Sequence, residues 1–92
     1  MIILFDPAKD AKNIAERGQS FASVAGIDWT TALVADDARN DYPEQRFVAL
    51  GMIGDRLHVV CFTPVGGGIR VISFRKANAR EVRRYEQETT DR

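Results

Sequence analysis

The chain has 92 residues, 45% hydrophobic and 28% charged, with a formal net charge of zero; this excludes a disordered chain and fits a single folded domain, residues 1–92, with one modest core. Its apolar runs fall far short of the ~20 residues that span a bilayer, and the opening Met-Ile-Ile-Leu-Phe-Asp-Pro lacks a basic segment, so a cytoplasmic protein without membrane contact or signal peptide is expected. The single cysteine, Cys61, precludes an internal disulfide, and no Cys/His set for zinc exists, so neither metal nor cofactor is expected.

In chain order, Ile2 to Phe5 is a short β-like run. Asp6-Pro7 is a helix start, because Asp accepts from the free N–H groups of the first turn and Pro presets φ. A helix of about three turns over Ala8–Arg17 should stop at Gly18. Its stripe of Ala8, Ala11, Ile14 and Ala15 predicts close approach to a sheet. Ser20 is the next N-cap, opening a second, shorter helix with Phe21, Val24 and Ala25 on one face, and Ile27 and Trp29 complete that apolar cluster. Thr31–Ala35 is a β-branched run, a candidate strand. Asn40 to Pro43 reads as a loop.

From Arg46 the pattern changes. Three runs rich in Val, Ile and Phe, Arg46–Ile53, Arg56–Thr63 and Ile69–Arg75, are separated by Gly54-Asp55 and by Gly66-Gly67-Gly68. They predict an antiparallel meander, with Gly54-Asp55 as a tight hairpin turn. By strict alternation Ile69, Val71, Ser73 and Arg75 share one face of the last strand, and Arg70, Ile72, Phe74 and Lys76 the other. Asn78 with Glu81 three residues on resembles a capping box, which opens a terminal helix to about Glu88, with Thr89 to Arg92 frayed. The sum is an α+β domain: strand, two helices, four strands and a C-terminal helix.

The charges are unevenly placed. Asp36 to Glu44 carries four acids against Arg39, and Ile69 to Tyr85 carries six bases against Glu81. Ten of the thirteen basic residues are arginine, which suits planar contact with phosphate or carboxylate. The triple glycine precedes a strand and not a helix, so it lacks the N-terminal N–H groups of a phosphate loop. No Gly-x-Ser-x-Gly elbow surrounds Ser20 or Ser73. What remains is the arginine set: Arg46, Arg70 and Arg75 with Lys76, and Arg80, Arg83 and Arg84 on the adjoining helix. Such a cluster suits charge stabilisation of a phosphodiester attacked by its neighbouring ribose 2′-hydroxyl, and equally suits docking of an acidic partner.

Several motifs in this order resemble the BrnT toxins of bacterial type II toxin–antitoxin pairs. They are Phe5-Asp-Pro-Ala-Lys9, Asn13, Arg17-Gly18, Ser20-Phe21, Asp41-Tyr42, Glu44, Arg46-Phe47, Leu50-Gly51, Thr63, Ile69-Arg-Val-Ile-Ser73, Arg75-Lys76-Ala77, Glu81 and Tyr85. The resemblance implies a RelE-like fold, two N-terminal helices and a C-terminal helix on an antiparallel sheet, and a metal-independent ribonuclease acting on mRNA. It also implies a ribbon-helix-helix antitoxin, BrnA, which blocks the toxin and with it represses the operon. On that basis Arg46, Arg70 and Arg75 are expected to bind phosphate, with Lys76 assisting. Glu44 is a candidate general base and His58 a candidate acid or base, while Arg80, Arg83 and Arg84 would hold nucleic acid or an acidic antitoxin segment. The chain departs from the family pattern at Glu16-Arg17, where Lys-His is usual, at Asn40 and Pro43, and at Pro64-Val65, where Glu-Arg is common. A chain with those departures could instead serve chiefly as a binding module, joining its antitoxin in an operator-binding repressor complex.

Overall fold

The computed structural model describes residues 1–90. Asp6 accepts from the Ala8 N–H at 2.9 Å and starts helix α1, Pro7–Arg17, which Gly18 ends in the left-handed conformation (φ 68°), its N–H on the Ile14 carbonyl at 2.8 Å. The expected alanine stripe does not pack: Ala8, Ala11, Ile14 and Ala15 are exposed. Polar side chains fasten the helix instead. The Asn13 amide, buried, donates to the carbonyls of Gln19 at 2.8 Å and Phe74 at 3.0 Å. The Asp10 carboxylate accepts from Ser20 Oγ at 3.1 Å and from the Phe21 N–H at 2.7 Å.

The space next to the sheet is filled by the following segment. Phe21–Gly26 forms a 3-10 helix and not the expected α-helix, capped by Ser20. Six residues ending in Gly26 are too few to sustain α-helical hydrogen bonding. Phe21 and Val24, with Ile27 just beyond, drive fully into the core.

The strands are β1 (Ile2–Leu4), β2 (Leu33–Asp36), β3 (Phe47–Ile53), β4 (Arg56–Val65) and β5 (Gly68–Lys76), in sheet order β1-β5-β4-β3-β2. The meander β3-β4-β5 is antiparallel as expected, and Gly54 (φ 60°) makes the first hairpin turn. The sheet as a whole is mixed, because β1 pairs in parallel with β5. Those two strands are joined through the rest of the fold rather than by a hairpin, so no turn dictates their direction. Gly68 makes the pairing possible: a Cβ there would lie 1.9 Å from the Ile2 carbonyl oxygen.

Alternation along β5 is also broken. Cys61 pairs with Ser73 but Phe62 pairs with Val71, so Ile72 is an extra residue, a β-bulge. Val71 and Phe74 therefore both point into the core with Phe21, Val24, Ala49, Val60, Phe62 and Ile69. The expectation that Arg70 and Phe74 share a face fails for this reason, and Arg70 joins Ser73 and Arg75 on the opposite face. The core side is covered by the 3-10 helix, with Ile27 and Trp29 after it; we call it the closed face.

The opposite face is covered over part of its area by helix α2, Ala79–Thr90, which extends two residues past its expected end. Asp91 and Arg92, expected to fray, lie outside the described residues. The capping box is present: the Glu81 N–H donates to Asn78 Oδ1 at 2.8 Å and the Asn78 N–H to Glu81 Oε1 at 2.9 Å. Val82 and Tyr85 pack on Leu50, Leu57, Val59 and Ala77, and the Tyr85 hydroxyl donates to the Thr31 carbonyl at 3.0 Å. The rest of this face is open. No helix among the described residues is long and apolar enough to cross a membrane.

Candidate active site

A groove of about 760 Å³ runs along the open face between α2 and the β2 edge, within the ~300–1,000 Å³ usual for ligand clefts. Its floor is Val48, Leu50, Val59, Cys61 and Ser73; Arg75, Glu81 and Arg84 line one side and Asp36 to Arg39 the other. The period-2 placement of side chains on β3, β4 and β5, corrected for the bulge, puts this floor directly behind the closed core.

Arg75 is held in place. Its Nη1 and Nη2 donate to the two Glu81 carboxylate oxygens at 2.8 and 2.9 Å, and the same Glu81 caps α2. This fork raises the guanidinium's pKa and lowers that of Glu81, both chiefly through the shared hydrogen bonds. Beside Arg75 along β5 stands the exposed Ser73, and beyond it the exposed Arg70, whose register partner is Thr63. The Thr63 hydroxyl donates to the Gln45 carbonyl at 2.6 Å, which ties this end of the sheet to Arg46. Arg46 lies 3.9 Å over the Tyr42 ring, and its Nη2 reaches Glu44 Oε1 at 3.0 Å. Arg46 and Arg70 thus belong to the open face, past the groove's end.

Lys76 and His58 do not join them. They are register partners one residue away from Arg75 and Val59, so they belong to the other side of the sheet. His58 is buried, its ring stacked on Phe74 at 5.2 Å between centroids, with Nδ1 3.0 Å from the Arg56 carbonyl. Burial lowers its pKa, favouring the neutral ring. On the terminal helix, Arg84 lines the groove and pairs with Glu88 at 3.1 Å, Arg80 is exposed, and Arg83 lines a separate hollow with Glu86, Gln87 and Thr90.

One pair escaped the sequence reading. The Asp37 side chain is 1% exposed and receives Arg39 Nε and Nη2 at 2.7 Å each, while the Arg39 side chain is 70% exposed. The Cys61 thiol lies 3.5 Å from Asp37 Oδ2. Arg39 holds the Asp37 carboxyl well below the usual carboxylate range, and burial followed by Asp37 pushes the Cys61 thiol up. An Asp-x-Arg spacing in a loop is the only local signal for such a pair; the burial of Asp37 depends on β4 passing beneath it. Among the described residues, no three His, Cys, Asp or Glu side chains gather as metal ligands.

The class defined by this geometry is a small α+β domain with arginines arrayed on a partly open sheet face. A sequence model of BrnT, the ribonuclease toxin of type II toxin–antitoxin systems, matches residues 5–81, and the chain belongs to that family. A toxin of such a system has an antitoxin as its partner. Comparison with curated proteins and with solved structures gave no match.

Proposed function

We propose that the chain is an endoribonuclease toxin with a RelE-like fold, cleaving mRNA in the cytoplasm without a metal and neutralised by a BrnA-like ribbon-helix-helix antitoxin. The observation that carries this reading is the Arg75–Glu81 fork beside Ser73 in an open groove, with Arg70 and Arg46 on the same face. The reaction needs little covalent help from the protein. The ribose 2′-oxygen forms a bond to phosphorus and loses its proton to water; Glu44, paired with Arg46 past the groove's end, stands too far from Arg75 to be the base at the phosphate Arg75 holds. The bond from phosphorus to the 5′-oxygen breaks and that oxygen takes a proton from water, leaving a cyclic phosphate and a 5′-hydroxyl end. Charge on the phosphoryl oxygens grows on the way, and fixed guanidiniums stabilise it.

Arg70 and Arg75 are four paired steps apart along the sheet, ~13 Å at the usual strand rise, so they serve different phosphates. Arg75 takes the scissile one. Lys76 and His58, on the far side, have no direct part in this scheme. Incubation of purified protein with RNA in chelator tests it: cleavage with 5′-hydroxyl ends is expected, and the Arg70→Ala, Arg75→Ala double variant should lose it. Cleavage that requires added divalent cation, or that survives the double substitution, would refute the assignment.

A second reading is favoured by one observation: Arg39, Arg46, Arg75 and Arg84 each already pair with a carboxylate of the chain. A surface so neutralised suits docking of an antitoxin segment in an operator-binding complex, with acids on the exposed Arg80 and Arg83. Induced expression without the antitoxin separates the two. Growth arrest supports the ribonuclease, and tolerance supports the binding module.

A further inference from the structure

The Asp37–Arg39 pair is asymmetric in a way that a structural ion pair need not be. Burying a carboxylate costs free energy that its hydrogen bonds must return. Asp37 receives two N–H donors from Arg39 Nε and Nη2, with the Cys61 thiol 3.5 Å away. Its partner stays out: the Arg39 side chain is 70% exposed against 1% for Asp37. The inner edge of the guanidinium is thereby fixed, and its remaining N–H donors are turned outward. The segment that carries Arg39 is itself closed, because the Asp37 N–H donates to the Arg46 carbonyl at 2.8 Å.

Arg39 and Arg75 line the same groove, one from the segment after β2 and the other from β5. Arg75 shares its row with Val59, Leu50 and Leu33, whereas β2 ends at Asp36 in the row of Phe47, Phe62 and Val71, so the two anchors are offset along the sheet as well as across it, and only long side chains reaching into the groove bring both guanidiniums to its walls. The positive charge of Arg39 acts on Arg75, opposing the effect of Glu81 on its pKa. Two cations, each held by its own carboxylate, thus line one groove, where an anion can be met by both.

We propose that Arg39 is a phosphate-binding residue and Asp37 the positioning residue that aims it, so that Arg39 and Arg75 receive an RNA phosphate from opposite walls of the groove. This rests on the ribonuclease reading, and it adds a second arm at the phosphate that Arg75 holds. Arg46 and Arg70, past the groove's end, then track neighbouring phosphates.

The probe is a fluorescent RNA oligonucleotide methylated at every 2′-oxygen, which cannot be cleaved by 2′-attack, titrated over a range of salt concentrations. Arg39→Gln should weaken binding about tenfold and flatten the salt slope by about 0.7, the value of one single-strand phosphate contact. Asp37→Asn should weaken binding about threefold with the slope kept, since the charge stays but loses its aim. Lys12→Gln, exposed on α1 and outside the groove, is the matched loss of one charge and should change neither. If wild type binds and Arg39→Gln matches Lys12→Gln, the proposal falls and the ribonuclease reading stands. If wild type does not bind, both fall. Should Arg39→Gln fail to fold, as judged by its thermal melt, Arg39→Lys decides: a slope kept with affinity reduced about threefold supports the proposal, and unchanged affinity rejects it.

Discussion

The two faces of the sheet are built from alternate residues of the same three strands, yet they do opposite things. On the closed face Ala49, Val60, Phe62, Val71 and Phe74 meet Phe21 and Val24 in an apolar core. On the open face the neighbouring positions are Val48, Cys61, Ser73 and Arg75, and α2 stops short of covering them. The closed face accepts a histidine only as a neutral stacked ring. The open face keeps its arginines by giving each of four a carboxylate. Core packing and exposed charge are thus divided by strand parity, and the bulge at Ile72 is what sends Arg70 to the open side.

That division can be broken from either side. The largest effect on stability is expected from Phe74→Ala, fully buried on the closed face, at about 3–5 kcal/mol in denaturant melts. Its neighbour Ser73→Ala, exposed on the open face, should stay within about 0.5 kcal/mol. Equal costs would mean that the faces are not distinct. Gly68→Val should come next, because its side chain would strike the Ile2 backbone. A loss of about 1–3 kcal/mol with faster hydrogen exchange across Ile2–Leu4 is expected, as for overpacking elsewhere.

Acid should sharpen the comparison, one residue per face. His58 has its pKa lowered from 6.5 by burial. Below pH 6.5 the unfolded chain takes up a proton that the folded chain refuses, so this contribution is complete above 6.5 and declines as pH falls. Glu81, lowered from 4.5 chiefly by Arg75, contributes above pH 4.5 and loses its contribution as pH falls through its depressed value. Melting temperatures measured from pH 7 downward should therefore fall in two stages. His58→Gln should flatten the first, and Glu81→Gln should lessen the second, to which the depressed carboxyls of Asp37 and Asp28 also contribute below pH 3.8; a His58→Gln profile parallel to wild type throughout would contradict the buried neutral ring. The smallest effect is expected from Arg84→Ala, which loses an exposed pair with Glu88 and should cost about 0.3–0.5 kcal/mol, diminishing in salt.

Much of this was legible in the residues. The Gly54 turn, the Asp6 and Asn78–Glu81 caps and the β-branched runs of the meander carry their signals within a few positions of themselves. What escaped depends on distant parts of the chain meeting. The parallel pairing of β1 with β5 has no local cue except that Gly68 must lack a side chain. The stripe of α1 is exposed because the helix is held by Asn13 and Asp10 and not by its alanines, a difference that apolar spacing does not encode. Arg70 and Arg75, five residues apart, fall on opposite faces by alternation, and the bulge that reunites them is a property of the pairing with β4. The position of His58 was recoverable: once Arg75 is set opposite Val59, its neighbour must point away.

The most direct test of the account compares initial RNA cleavage rates of Arg75→Ala and His58→Gln, each confirmed folded, in chelator. Removing Arg75 from the open face should slow cleavage about 10²–10³-fold, the usual cost of a transition-state donor, while His58→Gln stays near wild type. The reverse order, with His58 essential and Arg75 dispensable, would contradict the claim that the chemistry belongs to the open face.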